Sequence, residues 1–406
     1  KPGRTMNPHV NTPILVPPGL AKFTLPAVFN RAGYDTMRTC KNGNSYADAN
    51  KLFQVRRDGT RRGASDERGS AWHADQVLDY LNERESAKDT DPFLIYFGFS
   101  HPHDVRDGKP ELLAKYGAVN HDDKTTLPPA NPKQPALPVN YLPKHPFDHG
   151  HTTVRDEVGV KGVWERRDER TIRNEIGRQF ACGENIDIQI GRVLDRLERM
   201  GELDNTFVVY TSDHGSYRPD RNGGLRANKG SLFEGGIRTP GIVYWPKRIK
   251  GGRIEDTPAG AVDLLPTICG LVGIEKPKGV HLDGADLAPL LTGKPADFKR
   301  HQPLTWHSPT SQPIAVIREG KYSLVGYRKM EYPKDQATIR AVMDEMRVIL
   351  EKKHDRKLTQ SELWHKAYNS EIKTPEWNRL RGKFVTLNTF QEAWIPLIKA
   401  GSGGIS

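Results

Sequence analysis

Three polar groups in this chain each follow an apolar run. Asp213 and His214 come just after Asn205–Thr211 (NTFVVYT), His101 and His103 after FLIYFGF, and Lys41 after YDTMRTC. A further amine, Lys229, lies in Thr211–Pro240 (TSDHGSYRPDRNGGLRANKGSLFEGGIRTP), among six glycines. An aspartate beside a neutral histidine can bind a divalent cation. Carboxylate oxygen favours a hard ion, calcium before magnesium here, although imidazole alone would suit zinc. Lys41, Lys229 and His103 can clamp a tetrahedral anion and neutralise charge as it moves to a leaving oxygen. The glycines let backbone approach a bound group closely. This is the layout of a hydrolase acting on a sulfate or phosphate ester. Singly, each group has an ordinary explanation, since an Asp after a strand often caps a helix and a Lys in a turn is usually solvated. All three groups nevertheless fall at equivalent strand ends, where ligands bind in open α/β sheets.

The elements that must position them follow from periodicity. Thr24–Ala32 reads as a short helix ending at Gly33, with a strand over Tyr34–Cys40. Ala71–Glu85 has Trp72, Val77, Leu78 and Leu81 at helical spacing. FLIYFGF is a continuous apolar run of strand length, which predicts burial on both faces. Glu184–Met200 carries Ile186, Ile190, Val193, Leu194, Leu197 and Met200 on one helical face, closed by Gly201. NTFVVYT and Gly241–Trp245 read as strands and Val262–Val272 as a helix. Alternating strands and helices predict an α/β fold with a mostly parallel sheet between helices.

Between Asp104 and Arg170 the pattern fails, and LPPANPKQPALPVNYLPKHP reads as a long surface excursion. After about residue 300 the character changes. Ile314–Ile317 and Tyr322–Val325 look like a hairpin, and Lys334–Lys352 and Ser361–Tyr368 like helices. The expected organisation is an α/β domain over 1–300 and a small α+β subdomain over 301–406, with a disordered GSGGIS tail.

Bulk composition narrows the classes. The chain has 406 residues, 61 basic and 50 acidic, for a net charge of +11. Acidic neighbours interrupt most basic runs, such as Gln54–Arg62, and no nucleic-acid recognition module accompanies the charge. A basic site for an anionic small molecule fits it instead. No run approaches the roughly 18 apolar residues of a membrane helix. The three cysteines, Cys40, Cys182 and Cys269, are too scattered for a metal pair or a disulfide framework.

At these residues the chain resembles the type I sulfatases of the alkaline phosphatase superfamily. The carrying segments are LPAVFNRAGYDTMRTCK, FGFSHPHD, ENIDIQIGRVLDRLERMGELDNT, DNTFVVYTSDHG, LRANKGSLFEGGIRTP and AVDLLPTICGLVGI, in family order over roughly residues 20–330. The resemblance implies an alkaline-phosphatase-like sheet and hydrolysis of sulfate esters, of sulfated carbohydrate or aryl alcohols. It implies Asp213 and His214 as calcium ligands, Lys229 and His103 at the sulfate, and Lys41 beside the nucleophile. Glu234 and Arg238 are expected to brace the glycine loop, and His101 has no family counterpart. His145, Asp148, His149 and His151 imitate a metal site but are expected to be surface residues. Family members are commonly exported, so a periplasmic or extracellular location is expected.

Two departures stand out. The family's lysine is followed two positions later by a histidine; here that position is Gly43. The family's first strand, with its Asp pair, and the Cys/Ser-x-Pro/Ala-x-Arg segment that becomes formylglycine have no counterpart in these residues. The chain is therefore expected to start inside the family's domain, to show an exposed sheet edge, and to be inactive or nearly so alone.

Overall fold

The structure is a computed structural model. It describes residues 19–41, 46–59, 69–103, 106–121, 126–139, 141, 168–216, 222–308, 315–328, 336–358, 362–363, 366, 372–387 and 394–399. Gly43, the His145–His151 cluster, the GSGGIS tail and most of Ser361–Tyr368 lie outside the described residues.

The first half builds one layered unit. Helix α1 (Leu25–Arg31), with a proline in its first turn, leads through Gly33 at φ 79° into strand β1 (Asp35–Thr39). A short helix α2 (Ala47–Asn50) precedes β2 (Val55–Arg56), and helix α3 (Ser70–Ala87) precedes β3 (Phe93–Phe97). These strands form a parallel sheet in the order β2-β1-β3, with Met37 opposite both Val55 and Ile95. Parallel pairing brings the carboxyl ends of β1 and β3 to one edge of the sheet, and with them Lys41 and His101.

After α4 (Pro110–Lys115) comes α5 (Glu169–Arg199), 31 residues long. It begins fifteen residues before the span that periodicity gives. Its true start is marked by Asp168, whose carboxylate accepts the Thr171 backbone N–H. Side-chain alternation along β3 then separates two cores. Phe93, Ile95 and Phe97 pack with Met37, Val77, Leu81, Val193 and Leu197 beneath α3 and α5. Leu94 points the other way, towards Val28 and Phe29 of α1 and Cys269 and Ile268 of a later helix. Each fully buried aliphatic side chain contributes about 1.5–3 kcal/mol relative to exposure.

Strand β4 (Val208–Thr211) follows, then a one-turn helix α6 (Glu234–Ile237), β5 (Gly241–Tyr244), α7 (Leu264–Val272) and α8 (Ala288–Leu291). β4 and β5 pair antiparallel with each other. Among the described residues, β3 and β4 therefore each have a single partner strand, and both border one cleft. That explains why the two apolar runs are not buried on both faces as their composition predicts: Tyr96 is 48% and Tyr210 42% exposed.

The remaining strands, β6 (Leu304–His307), β7 (Ala315–Glu319), β8 (Tyr322–Arg328) and β9 (Trp394–Lys399), form an antiparallel sheet in sequential order. β7 and β8 are the anticipated hairpin, turned at Gly320 with φ 52°. α9 (Gln336–His354) and α10 (Pro375–Leu387) enclose their own core around Met346, Leu350, Trp377 and Phe384. β6, β9 and α10 were not apparent from periodicity.

Candidate functional site

Lys41 sits two residues past β1, where it makes a bridge to Gly59 that continues the β1–β2 pairing. Its backbone is held from beneath. Buried Arg38 donates one N–H to the Lys41 carbonyl at 3.2 Å and another to Asp58 Oδ1 at 2.5 Å. Both partners of that ion pair are nearly inaccessible, and Arg56 adds a second contact to Asp58 at 3.0 Å. Beside them the Thr39 hydroxyl lies 2.7 Å from Nδ1 of fully buried His73. Burial holds the His73 imidazole neutral and pushes its pKa down to about 4.

His101 and His103 follow β3, with the His103 N–H donating to the Ser100 carbonyl at 3.2 Å. The chain beyond them is tied to α5 by a buried charged group. Glu175 accepts from Arg178 at 2.8 Å and pairs with Arg106 at 3.5 Å, while Arg178 Nε donates to the Arg106 carbonyl at 2.9 Å.

The β4 side is built differently. Here backbone meets backbone. Gly215 N–H donates to the Gly236 carbonyl at 2.9 Å, Lys229 N–H to Ser216 at 2.8 Å, and Gly235 N–H to Arg226 at 2.8 Å. A Cβ on Gly215 would lie 2.0 Å from the Gly235 carbonyl oxygen, and one on Gly235 would lie 2.2 Å from that of Ala227. The glycines that stand out in the sequence are therefore required by close backbone crossing. Asn222 closes the loop, accepting from Ser216 N–H and donating to the Ala227 carbonyl.

The two sides face one cleft of about 1860 Å³. Lys41, His101, His103, Asp213, His214, Lys229 and Arg238 all line it. These candidate residues thus share one cleft; Glu234 lies outside its lining. A large part of the cleft is apolar, running between β3 and β4 over Ile190, Val193 and Leu197 of α5 and Ile268 and Val272 of α7, with charged groups such as Arg84, Asp89, Arg106 and Arg248 also in its lining.

Asp213 and His214 are neighbours in space as well as sequence, with His214 Nε2 3.4 Å from Asp213 Oδ2. His214 Nδ1 lies 2.9 Å from the Gly215 carbonyl, which favours a proton on Nδ1 and leaves Nε2 as a donor atom. Calcium takes 6–8 oxygen ligands. One carboxylate and one imidazole do not make such a site, so the described residues around Asp213 do not fit a bound calcium by themselves. The described acidic cluster, Asp35, Asp89 and Asp91, has Arg84 donating to Asp35 and Asp89 and to the Asp91 carbonyl, and reads as an ion-pair network.

No cysteine is a ready nucleophile. Burial raises the thiol pKa of Cys40, which lines the cleft, and of Cys269, and pushes Cys182 up to about 12.

Two contributors were missed by reading the sequence. Arg318 on β7 pairs with Glu234 at 2.5 Å, and Asp58 pairs with Arg38. The first pair spans 84 residues and the second 20, and neither has a local sequence signal. Of the two residues expected to brace the glycine loop, Glu234 is held by Arg318, while Arg238 is two-thirds exposed, lies 3.9 Å from the Glu234 carboxylate and lines the cleft.

Comparison with known proteins places these features in one group. The sulfatase family model matches residues 2–274, and that of the N-sulphoglucosamine sulphohydrolase C-terminal region matches 227–372. Steryl-sulfatase of Mus musculus is 40% identical over 157 residues, covering 36% of this chain and 24% of the relative. Arylsulfatase A of Homo sapiens is 39% identical over 113 residues, covering 27% of this chain and 22% of the relative. These matches span about a quarter of the length of those curated relatives. Among solved structures, one in complex with its substrate D-glucosamine-2-N,6-O-disulfate superposes with a TM-score of 0.52 at 20% identity, covering 84% of this chain and 82% of the other. A 2-O GAG sulfatase gives 0.52 at 20% identity, covering 94% and 81%. At such identity these two show the fold.

Proposed function

The chain belongs to the sulfatase family, and on that footing we propose that its cleft is a sulfate-ester site. Lys229 and Lys41 set ammonium charge against the sulfate oxygens. His103 hands a proton to the oxygen that stays with the alcohol or phenol when the S–O bond breaks, and water supplies the oxygen that sulfur gains. The observation that carries this reading is that Lys41 and His103, from two strand ends, and Lys229, from the glycine loop after β4, all line one cleft with Asp213 and His214.

The ligand class is a sulfate ester of a carbohydrate or an aryl alcohol. The net charge of +11 suits a polyanionic sulfated carbohydrate, and a structural relative was solved with a sulfated glucosamine. Calcium, with Asp213 and His214 among its ligands, belongs to this reading, and it needs donors beyond those two residues. A periplasmic or extracellular location goes with it; no described helix is long and apolar enough to cross a membrane.

The 406 residues alone bind sulfate esters without turning them over. Cys40, Cys182 and Cys269 are followed by Lys-Asn, Gly-Glu and Gly-Leu, so none lies in the segment that matures to formylglycine. The same observation favours a second reading, a non-catalytic protein of this fold that keeps its anion pocket. Incubation with 4-nitrophenyl sulfate tests the first claim. Release of nitrophenol at a steady rate, abolished by Lys229→Ala, would overturn the prediction of an inactive chain while supporting the site.

A further inference from the structure

The antiparallel sheet β6–β9 contributes no lining residue to the cleft, whose described walls end at Val272. It nevertheless reaches the loop that carries Lys229. Val316 of β7 and Val325 of β8 form one buried cluster with Leu232 and Phe233, and Ala227 and Ile237 pack against it. From the same strand, Arg318 donates to Glu234 Oε1 at 2.5 Å, with both side chains largely covered.

Glu234 opens helix α6, and the two residues after it are the glycines that cross the Lys229 loop. Gly235 N–H bonds the Arg226 carbonyl, and Gly236 accepts from Gly215, two residues from Asp213. Gly236 packs so closely that a Cβ there would sit 2.2 Å from the Ser231 carbonyl oxygen, and this contact with the two hydrogen bonds couples α6 to residues 226–231 and to Gly215. Any displacement of Glu234 is thus passed by rigid backbone contact to Lys229 on one side and Asp213 on the other.

We propose that Arg318 is a positioning residue: from outside the cleft it fixes Glu234, and through Glu234 the placement of Lys229. The sheet that bears it is then part of the anion site's scaffold. Arg238, on the same turn and two-thirds exposed, does not share this role. The proposal rests on the reading of Lys229 as a sulfate-holding group, and its test separates the two.

Arg318→Ala, Arg318→Lys, Glu234→Gln and the Arg318→Ala/Glu234→Gln double variant are made in the full chain. Amide hydrogen exchange of peptides spanning 222–240 is followed by mass spectrometry, and the dissociation constant for 4-nitrophenyl sulfate by calorimetry. Arg318→Ala is expected to speed exchange in 222–240 and to weaken sulfate-ester binding, each about tenfold, a usual size for coupling between sites. Peptides from α3 and α5 are expected to keep their rates. Arg318→Lys restores most of the affinity, and the double variant is no worse than Glu234→Gln, the non-additivity of a shared interaction. Should Arg318→Ala melt the whole chain, Glu234→Gln, which removes the charge and keeps the size, carries the same comparison. Unchanged exchange in 222–240 with unchanged affinity in Arg318→Ala and Glu234→Gln overturns the proposal. If the wild-type chain binds no sulfate ester, the functional reading fails, and the exchange data still decide whether Arg318 holds the loop.

Discussion

On the Lys229 side of the cleft, position is set by main chain pressed on main chain; on the Lys41 side it is set by buried side chains. Gly215, Gly235 and Gly236 leave room for nothing larger than hydrogen, and one ion pair, Arg318–Glu234, ties the assembly to a neighbouring sheet. The Lys41 side has an inaccessible Arg38–Asp58 pair and a neutral imidazole against Thr39. The first construction rejects added volume throughout and depends on charge at the Arg318–Glu234 tie. The second tolerates small changes of volume but not an unmatched charge. One cleft therefore joins two surfaces that should fail in different ways, and mutation can tell them apart.

The largest effect is expected on the Lys41 side. Arg38→Leu leaves buried Asp58 with the more exposed Arg56, at 3.0 Å, as its remaining charged partner, and the loss is expected towards the lower end of the range, about 3–5 kcal/mol, that breaking a buried pair costs. Chemical denaturation would show it as a fall in midpoint, and the Arg38→Leu/Asp58→Leu double variant should recover much of the loss. Next is Gly235→Ala, whose methyl meets the Ala227 carbonyl oxygen at 2.2 Å. Overpacking of that kind costs about 3 kcal/mol at the upper end of its usual range. Here no second-site charge change should rescue it, which is the sharpest contrast with Arg38.

Acidification supplies the third comparison. The folded pKa of His73 is lowered to about 4 by burial, below its unfolded value. Its neutral form is thus favoured by the fold, and the associated stability is complete above the unfolded pKa. That stability declines as pH falls from about 6.5 towards 4, by about 2.5 kcal/mol at pH 4.5. His73→Gln should be less stable at neutral pH yet lose less on acidification over that window. A wild-type chain with the same slope as His73→Gln would show that His73 is not the titrating group. The smallest effect belongs to Arg238→Ala. Its exposed pairing to Glu234 at 3.9 Å predicts a stability change under about 0.5 kcal/mol, against a clear loss for Arg318→Ala.

Much of this site was legible in the sequence because its groups sit at strand ends, and strand ends are marked by local apolar runs. Lys41, His103, Asp213 and His214 could be placed at one edge without any pairing information, and they line the cleft together with Lys229 of the glycine loop. The glycines of Thr211–Pro240 announced a close approach, although the approaching group is the loop's own backbone. What the sequence hid depends on distant partners. Arg318 lies in an ordinary-looking hairpin, and only the folded chain sets it against Glu234. The early half of α5 was hidden for another reason. Its buried face carries Asn174, Glu175 and Arg178 as well as Ile172 and Ile176, so hydrophobic periodicity fades where the helix meets the charged segment after His103. The apolar runs at β3 and β4 promised strands buried on both faces, but each described strand has one neighbour and borders the cleft.

The most direct measurement is a calorimetric titration of the chain with 4-nitrophenyl sulfate and, in parallel, with 4-nitrophenol, repeated for Lys229→Ala. The account predicts that the sulfate ester binds and the phenol does not. It predicts that removing one charge-assisted contact weakens the ester about tenfold or more while leaving the fold intact. Equal binding of ester and phenol, or an affinity for the ester that Lys229→Ala leaves unchanged, would contradict it.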